Sequence, residues 1–298
     1  MSLTKAHRSS HSSPSAACLN WLELPVSDLP VSSRSPEASA TMPAFDLDEV
    51  HALYREMFEG QQVQRRLSGP PRLRRGQFEI ASEIFPVQRF PGDFVSIFDC
   101  GDSTILALGD IAGKGLAAAM WATHVMGLVR TYSTSLGSPE AVLAAINRDL
   151  CSMNAGVPIT TMVLARFDWR RQELIYSNAG HFLPLIARAN GSVERLSVGG
   201  AALAAIPKAG FESARVAFSS SDMLVAFSDG LIECQNGNDE EFGEARLLTQ
   251  LQRSRKLSAS KALFSIIGAV QDFAQTNPRC DDLTLLVMTG ARADGSER

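Results

Sequence analysis

Aspartates in this chain repeatedly fall where short apolar runs of strand character begin or end. Asp93 stands immediately before the run 94–98, and Asp110 lies just past the run 104–108. The turn Asp99-Cys100-Gly101-Asp102 joins these runs, so they read as a hairpin. In an antiparallel hairpin the start of one strand and the finish of its partner share one open end, which makes the two carboxylates neighbours. The arrangement recurs: Asp229 lies just past the run 223–227, while Asp281 and Asp282 open the run 283–288. If those two strands pair antiparallel, their acids meet as well.

Four ionised carboxylates within ~5 Å would repel by ~3 kcal/mol per pair at an effective dielectric near 20. Several such pairs rival a folding stability of about 5–15 kcal/mol, so the cluster calls for cations. Oxygen-only donors select hard ions such as Mg²⁺ or Mn²⁺ over zinc or copper. Gly92, Gly109 and Gly230 beside the acids let the backbone bend and offer its carbonyls. The alternative for any single aspartate is a turn or helix-cap residue. A phosphate-cradling loop at Gly109-Asp110-Ile111-Ala112-Gly113-Lys114-Gly115 fails on spacing: three residues separate Gly109 from Gly113 where four are needed, and Gly115 replaces the hydroxyl residue. Lys114 can still assist an anionic substrate, or simply face solvent in a turn.

The rest of the chain sets the frame. With 298 residues, 45% of them hydrophobic, it can bury a large core. No run approaches the ~18 apolar residues of a membrane helix. A net charge of −4 gives no broad attraction to nucleic acid. Five scattered cysteines without a CxxC pair suit a reducing, cytoplasmic setting and no disulfide framework. Residues 1–42 form a Ser-rich segment expected to be disordered, and 291–298 a second tail. Residues 43–75 read as a helical linker: Leu47, Val50, Leu53, Tyr54, Met57, Val63 and Leu67 recur at helical steps, with Asp46 at its start. This stripe suits a dimerising or regulatory helix. Pro70-Pro71 ends it, and the basic run Arg72–Arg75 reads as solvated linker.

From residue 76 to 290, strand runs joined by hairpins are segregated from helical stretches at 116–132, 139–153 and 259–274. The class is therefore α+β with antiparallel sheets. Further strands are expected at 78–85, 160–167, 173–177, 183–188, 193–196 and 215–218. The Asn190-Gly191 pair marks a turn between two of them.

Six ordered blocks carry a resemblance: Gly92-Asp93-Phe94; Gly109 to Gly115 with Ala117-Ala118-Ala119; Asn178-Ala179-Gly180-His181; Ser228-Asp229-Gly230 through Glu233; Phe242-Gly243; and Asp281-Asp282-Leu283-Thr284. In this order and spacing the chain resembles the PPM-type metal-dependent serine/threonine phosphatases, in their bacterial SpoIIE/RsbU-like branch. The resemblance implies two antiparallel sheets in a sandwich flanked by helices, with two divalent cations, Mn²⁺ or Mg²⁺, at one sandwich edge. Carried over by position, Asp93, Asp110, Asp229 and Asp281 match metal ligands, as does the Ile111 carbonyl; Asp282 is the second choice for the last ligand. The implied reaction is hydrolysis of phosphoserine or phosphothreonine by a metal-activated water, without a phosphoenzyme.

The chain departs from the family pattern at Pro91-Gly92, where paired glycines are usual, and at Val95-Ser96, where Tyr-Asp is common. Ala112-Gly113 occupies the stretch where eukaryotic relatives carry a proposed general-acid His. His181 reads as a buried structural histidine. Members of this branch typically act on a phosphorylated anti-sigma factor antagonist in partner switching. A non-catalytic phosphatase-like module that docks a signalling partner, and a hydrolase of small phosphoesters, are the competing readings.

Overall fold

The structure, a computed structural model, describes residues 47–153 and 156–290. The expected tails 1–42 and 291–298, and the Asp46 cap, lie outside the described residues. The described residues fall in one compact unit.

In chain order, α1 (Leu47–Leu67) precedes β1 (Arg72–Arg75), β2 (Phe78–Phe85), β3 (Phe94–Cys100) and β4 (Ser103–Ile111). Two helices follow, α2 (Leu116–Ser135) and α3 (Pro139–Ser152). Then come β5 (Thr160–Asp168), β6 (Glu173–Ala179), β7 (Leu185–Ala187), β8 (Val193–Arg195), β9 (Gly199–Gly200), β10 (Ala214–Ala217) and β11 (Met223–Phe227). The chain closes through α4 (Asp229–Ile232), α5 (Gly243–Ser254), α6 (Ala259–Ala274) and β12 (Leu283–Gly290).

One sheet has the order β1-β2-β12-β11-β7-β8, the other β10-β6-β5-β4-β3, with β9 pairing β6. Every pairing is antiparallel except β6 with β9. The sheets pack face to face through Phe78, Ile97, Leu106, Phe167, Leu224 and Leu286. On the outer face of the first sheet, Val225, Leu285 and Val287 meet Leu263, Ile266 and Val270 of α6. On the outer face of the second, Ile105 and Leu164 meet Val125 of α2 and Ile146 of α3. The result is a helix-sheet-sheet-helix sandwich, in agreement with the expected α+β class. β11 and β12 are buried at every position because both of their faces are covered, which explains their unbroken apolar runs.

Two segments differ from the sequence reading. The run Arg72–Arg75 is a strand: it pairs with β2 from Arg72↔Ala81 to Arg75↔Phe78. Leu73 packs against the inter-sheet core, while the guanidinium groups of Arg72 and Arg75 lie over Phe264 and Trp169. Aromatic partners make the basic strand tenable. β4 also continues to Ile111, so Asp110 lies within the strand, opposite Thr161, and not beyond its end. Helix α1 faces the domain through polar groups: Gln61 donates to the Arg89 carbonyl at 2.7 Å, and buried Gln64 to that of Pro91 at 3.5 Å.

Candidate metal centre

The register brings the acids to one end of the sandwich. Phe94 pairs with Gly109, so Asp93 and Asp110 flank the same end of one hairpin. Phe227 pairs with Leu285, which sets Asp229 and the pair Asp281 and Asp282 past the matching end of the facing sheet. Ser228 extends that ladder, its N–H donating to the Thr284 carbonyl at 3.1 Å.

The charges feel one another across the two sheets. Burial pushes the Asp110 carboxyl up to about 7, and the negative charges of Asp229, Asp281 and Asp282 push in the same direction. Asp229 is raised by burial and then by Asp281; Lys114 partly offsets this. Asp93, 2% exposed, is raised well above the usual range by burial, against opposing hydrogen bonds from Thr284 and Ser228. Glu233 joins the group, raised by burial, Asp229, Glu241 and Asp281. The sequence does not single it out as a site residue, although its position four residues after Asp229 places both at one short helix.

The individual carboxylates have distinct partners. Asp93 Oδ2 accepts the Thr284 hydroxyl. Asp281 Oδ2 accepts the Lys114 ammonium at 2.9 Å, and its Oδ1 accepts the Asp282 N–H. Lys114 also donates to the Cys280 carbonyl at 2.8 Å. Asp229 Oδ1 accepts the Gly230 N–H at 2.7 Å. Asp282 turns away from the others: its two oxygens accept the N–H groups of Val87 and Gly92, at 2.7 and 2.9 Å. No group of three or more His, Cys, Asp or Glu side chains among the described residues forms a ready-made cage. The mutual repulsion nevertheless marks the place as short of positive charge. Its donors are all oxygens, which fits Mg²⁺ or Mn²⁺.

Glycine permits the close approach. A Cβ on Gly92 would lie 3.0 Å from the Gly113 carbonyl and 3.1 Å from that of Ile111. The Ile111 carbonyl therefore fronts the same end as Asp93 and Asp110. His181 sits behind the site, 6% exposed, with Nδ1 2.8 Å from the Thr161 hydroxyl. Its backbone N–H and carbonyl are both bonded by Asn178. Burial pushes its pKa down to about 4, so the ring is neutral.

A sandwich of two antiparallel sheets between helical layers, with acids gathered at one edge, defines the PP2C class of fold. Within that class, the family model for Stage II sporulation protein E (SpoIIE) matches residues 101–290, and the chain belongs to that family. It is 25% identical over 241 residues to Protein IcfG of Synechocystis, an alignment covering 71% of this chain and 38% of that relative. It is 24% identical over 229 residues to the phosphoserine phosphatase RsbU of Bacillus subtilis, covering 76% of this chain and 67% of RsbU. The SiaA-PP2C domain of Pseudomonas aeruginosa superposes with a TM-score of 0.69 at 16% identity, over 82% of this chain and 99% of that domain. No helix among the described residues is long and apolar enough to cross a membrane.

Proposed function

We propose that this chain is a divalent-metal-dependent protein serine/threonine phosphatase. The observation that carries the reading is the convergence, at one oxygen-only end of the sandwich, of Asp110 from inside β4 and Asp229 from the turn after β11, strands of the two different sheets. The naming of RsbU as a phosphoserine phosphatase supports the substrate class.

Asp93, Asp110, the Ile111 carbonyl, Asp229 and Asp281 would hold two ions, Mn²⁺ or Mg²⁺. When bound, such ions supply an acidified water and charge neutralisation for in-line phosphoryl displacement. The chain's own residues do the rest. Thr284 orients Asp93 through its hydroxyl. Lys114, half-exposed at the rim, holds Asp281 and presents positive charge toward a phosphate dianion. Ala112 and Gly113 offer no proton, and His181 is buried and neutral, so neither supplies one to the departing serine oxygen. The substrate is a phosphorylated protein of a bacterial partner-switching pathway, such as an anti-sigma factor antagonist, encountered in the cytoplasm. The helix around 45–67 pairs with a second copy, and residues 76–290 are the catalytic domain.

The test is phosphate release from a phosphoserine protein with Mn²⁺, with EDTA, and with the Asp229→Asn variant. Release is expected with Mn²⁺ alone. Activity that survives both EDTA and Asp229→Asn would end the two-ion reading. Tight binding of the phosphoprotein without any release would favour the non-catalytic docking module instead.

A further inference from the structure

Asp282 lies 8% exposed at the junction of three segments that carry acids of the centre. Its carboxylate accepts Val87 N–H and Gly92 N–H, from a loop about 190 residues away in sequence that ends at Asp93. Its carbonyl accepts the Ser228 hydroxyl at 3.1 Å, and the same hydroxyl oxygen accepts the Thr284 N–H at 3.0 Å. Thr284 in turn donates to Asp93. Gly230 presses on the Asp282 carbonyl so closely that a Cβ there would stand 2.2 Å from it. Arg279 adds a bond from the same corner to the Phe85 carbonyl at 3.1 Å.

We propose that Asp282 is a positioning residue that binds no ion. Its two charge-assisted bonds staple the loop 86–92 to the corner 281–284, which places Asp93 relative to Asp229 and Asp281. An ionised carboxylate suits this role, since both of its oxygens accept and both facing groups are backbone donors. Asparagine would turn a donor toward one N–H and lose that bond. The inference rests on the metal-centre reading for its consequence, though not for its geometry.

The experiment compares the full chain with Asp282→Asn, Asp282→Ala and Asp281→Asn. Amide hydrogen exchange is read on metal-stripped protein, and Mn²⁺ binding by calorimetry. In both Asp282 variants the Val87 and Gly92 amides are expected to exchange at least about 10-fold faster, while amides inside β5 are unchanged. Ion stoichiometry stays that of the parent, and affinity falls about 10–100-fold, as for lost partners of ligands elsewhere. Asp281→Asn is expected to lower the stoichiometry. If Asp282→Ala does not fold, Asp282→Asn, which keeps the volume, decides alone. A lower ion count in Asp282→Asn makes Asp282 a ligand and overturns the proposal, as does unaltered exchange at Val87 and Gly92. Should the parent chain take up no Mn²⁺, the proposed function fails, yet the exchange rates still judge the staple.

Discussion

At the scale of single residues, burial sorts the titratable groups of the centre into two kinds. Asp93, Asp110, Asp229 and Glu233 are raised by burial, and the one imidazole, His181, is lowered by burial from 6.5 to about 4. The sign follows from which state takes up the proton. As pH falls through 6.5 the unfolded chain protonates His181 while the folded chain does not, so stability is lost down to about pH 4. At pH 5 this amounts to about 2 kcal/mol, taken as 1.36 kcal/mol per pH unit. His181→Gln lacks the titration and keeps a hydrogen-bonding group near Thr161. The parent chain should therefore lose about 2 kcal/mol relative to the variant between pH 7 and pH 5 in urea unfolding. An unchanged gap would mean that the folded protein protonates His181 without penalty.

At the scale of elements, contact between turns matters more than their individual shape. Gly230 shows this: replacing it with Ala puts a methyl group 2.2 Å from the Asp282 carbonyl oxygen and 2.9 Å from its carbon. The corner just before β12 must then part from the turn after β11, at a cost of about 1–3 kcal/mol. Gly230→Ala should lower the denaturant midpoint and abolish phosphate release, whereas Gly237→Ala, with nothing within 4 Å, should change stability by less than about 0.5 kcal/mol. The same distinction explains what is legible in the sequence. Runs such as Met223–Phe227 announce strands because both faces are buried, and strand ends are enough to pair the acids. β1 stays hidden because Arg-Leu-Arg-Arg has one inward residue, and its cations are accommodated by Phe264 and Trp169, which are remote in sequence. α5 keeps the helical spacing, with Leu247, Leu251 and Ser254 buried on one face, and falls in the stretch between β11 and β12 that reads as helical sequence. The opposite orientations of Asp281 and Asp282 are illegible, since adjacent identical side chains are distinguished only by Lys114 on one side and the 86–92 loop on the other.

At the scale of the whole molecule, the two sheets bury their apolar faces on both sides, but α1 does not. Leu53, Phe58, Val63 and Leu67 remain 57, 57, 53 and 40% exposed, while Gln61 and Gln64 make its contacts with the loop ahead of Asp93. Leu53, Val63 and Leu67 fall within about 80° of one another around the helix and mark a surface that gains by being covered, while Phe58 lies on another side. The proposed pairing with a second α1 would cover that surface, since that helix presents the same residues in return and two-fold pairing closes the assembly. The helix also grips the carbonyls of Arg89 and Pro91, so whatever holds α1 in place bears on the segment that Asp282 staples from the other side. Leu53→Glu with Val63→Glu is expected to shift the chain from dimer to monomer in sedimentation equilibrium without lowering its melting temperature by more than a few degrees, because neither side chain belongs to a buried cluster. A parent chain that sediments as a monomer at every accessible concentration would refute pairing through this helix, and would leave its apolar residues to a partner of different sequence.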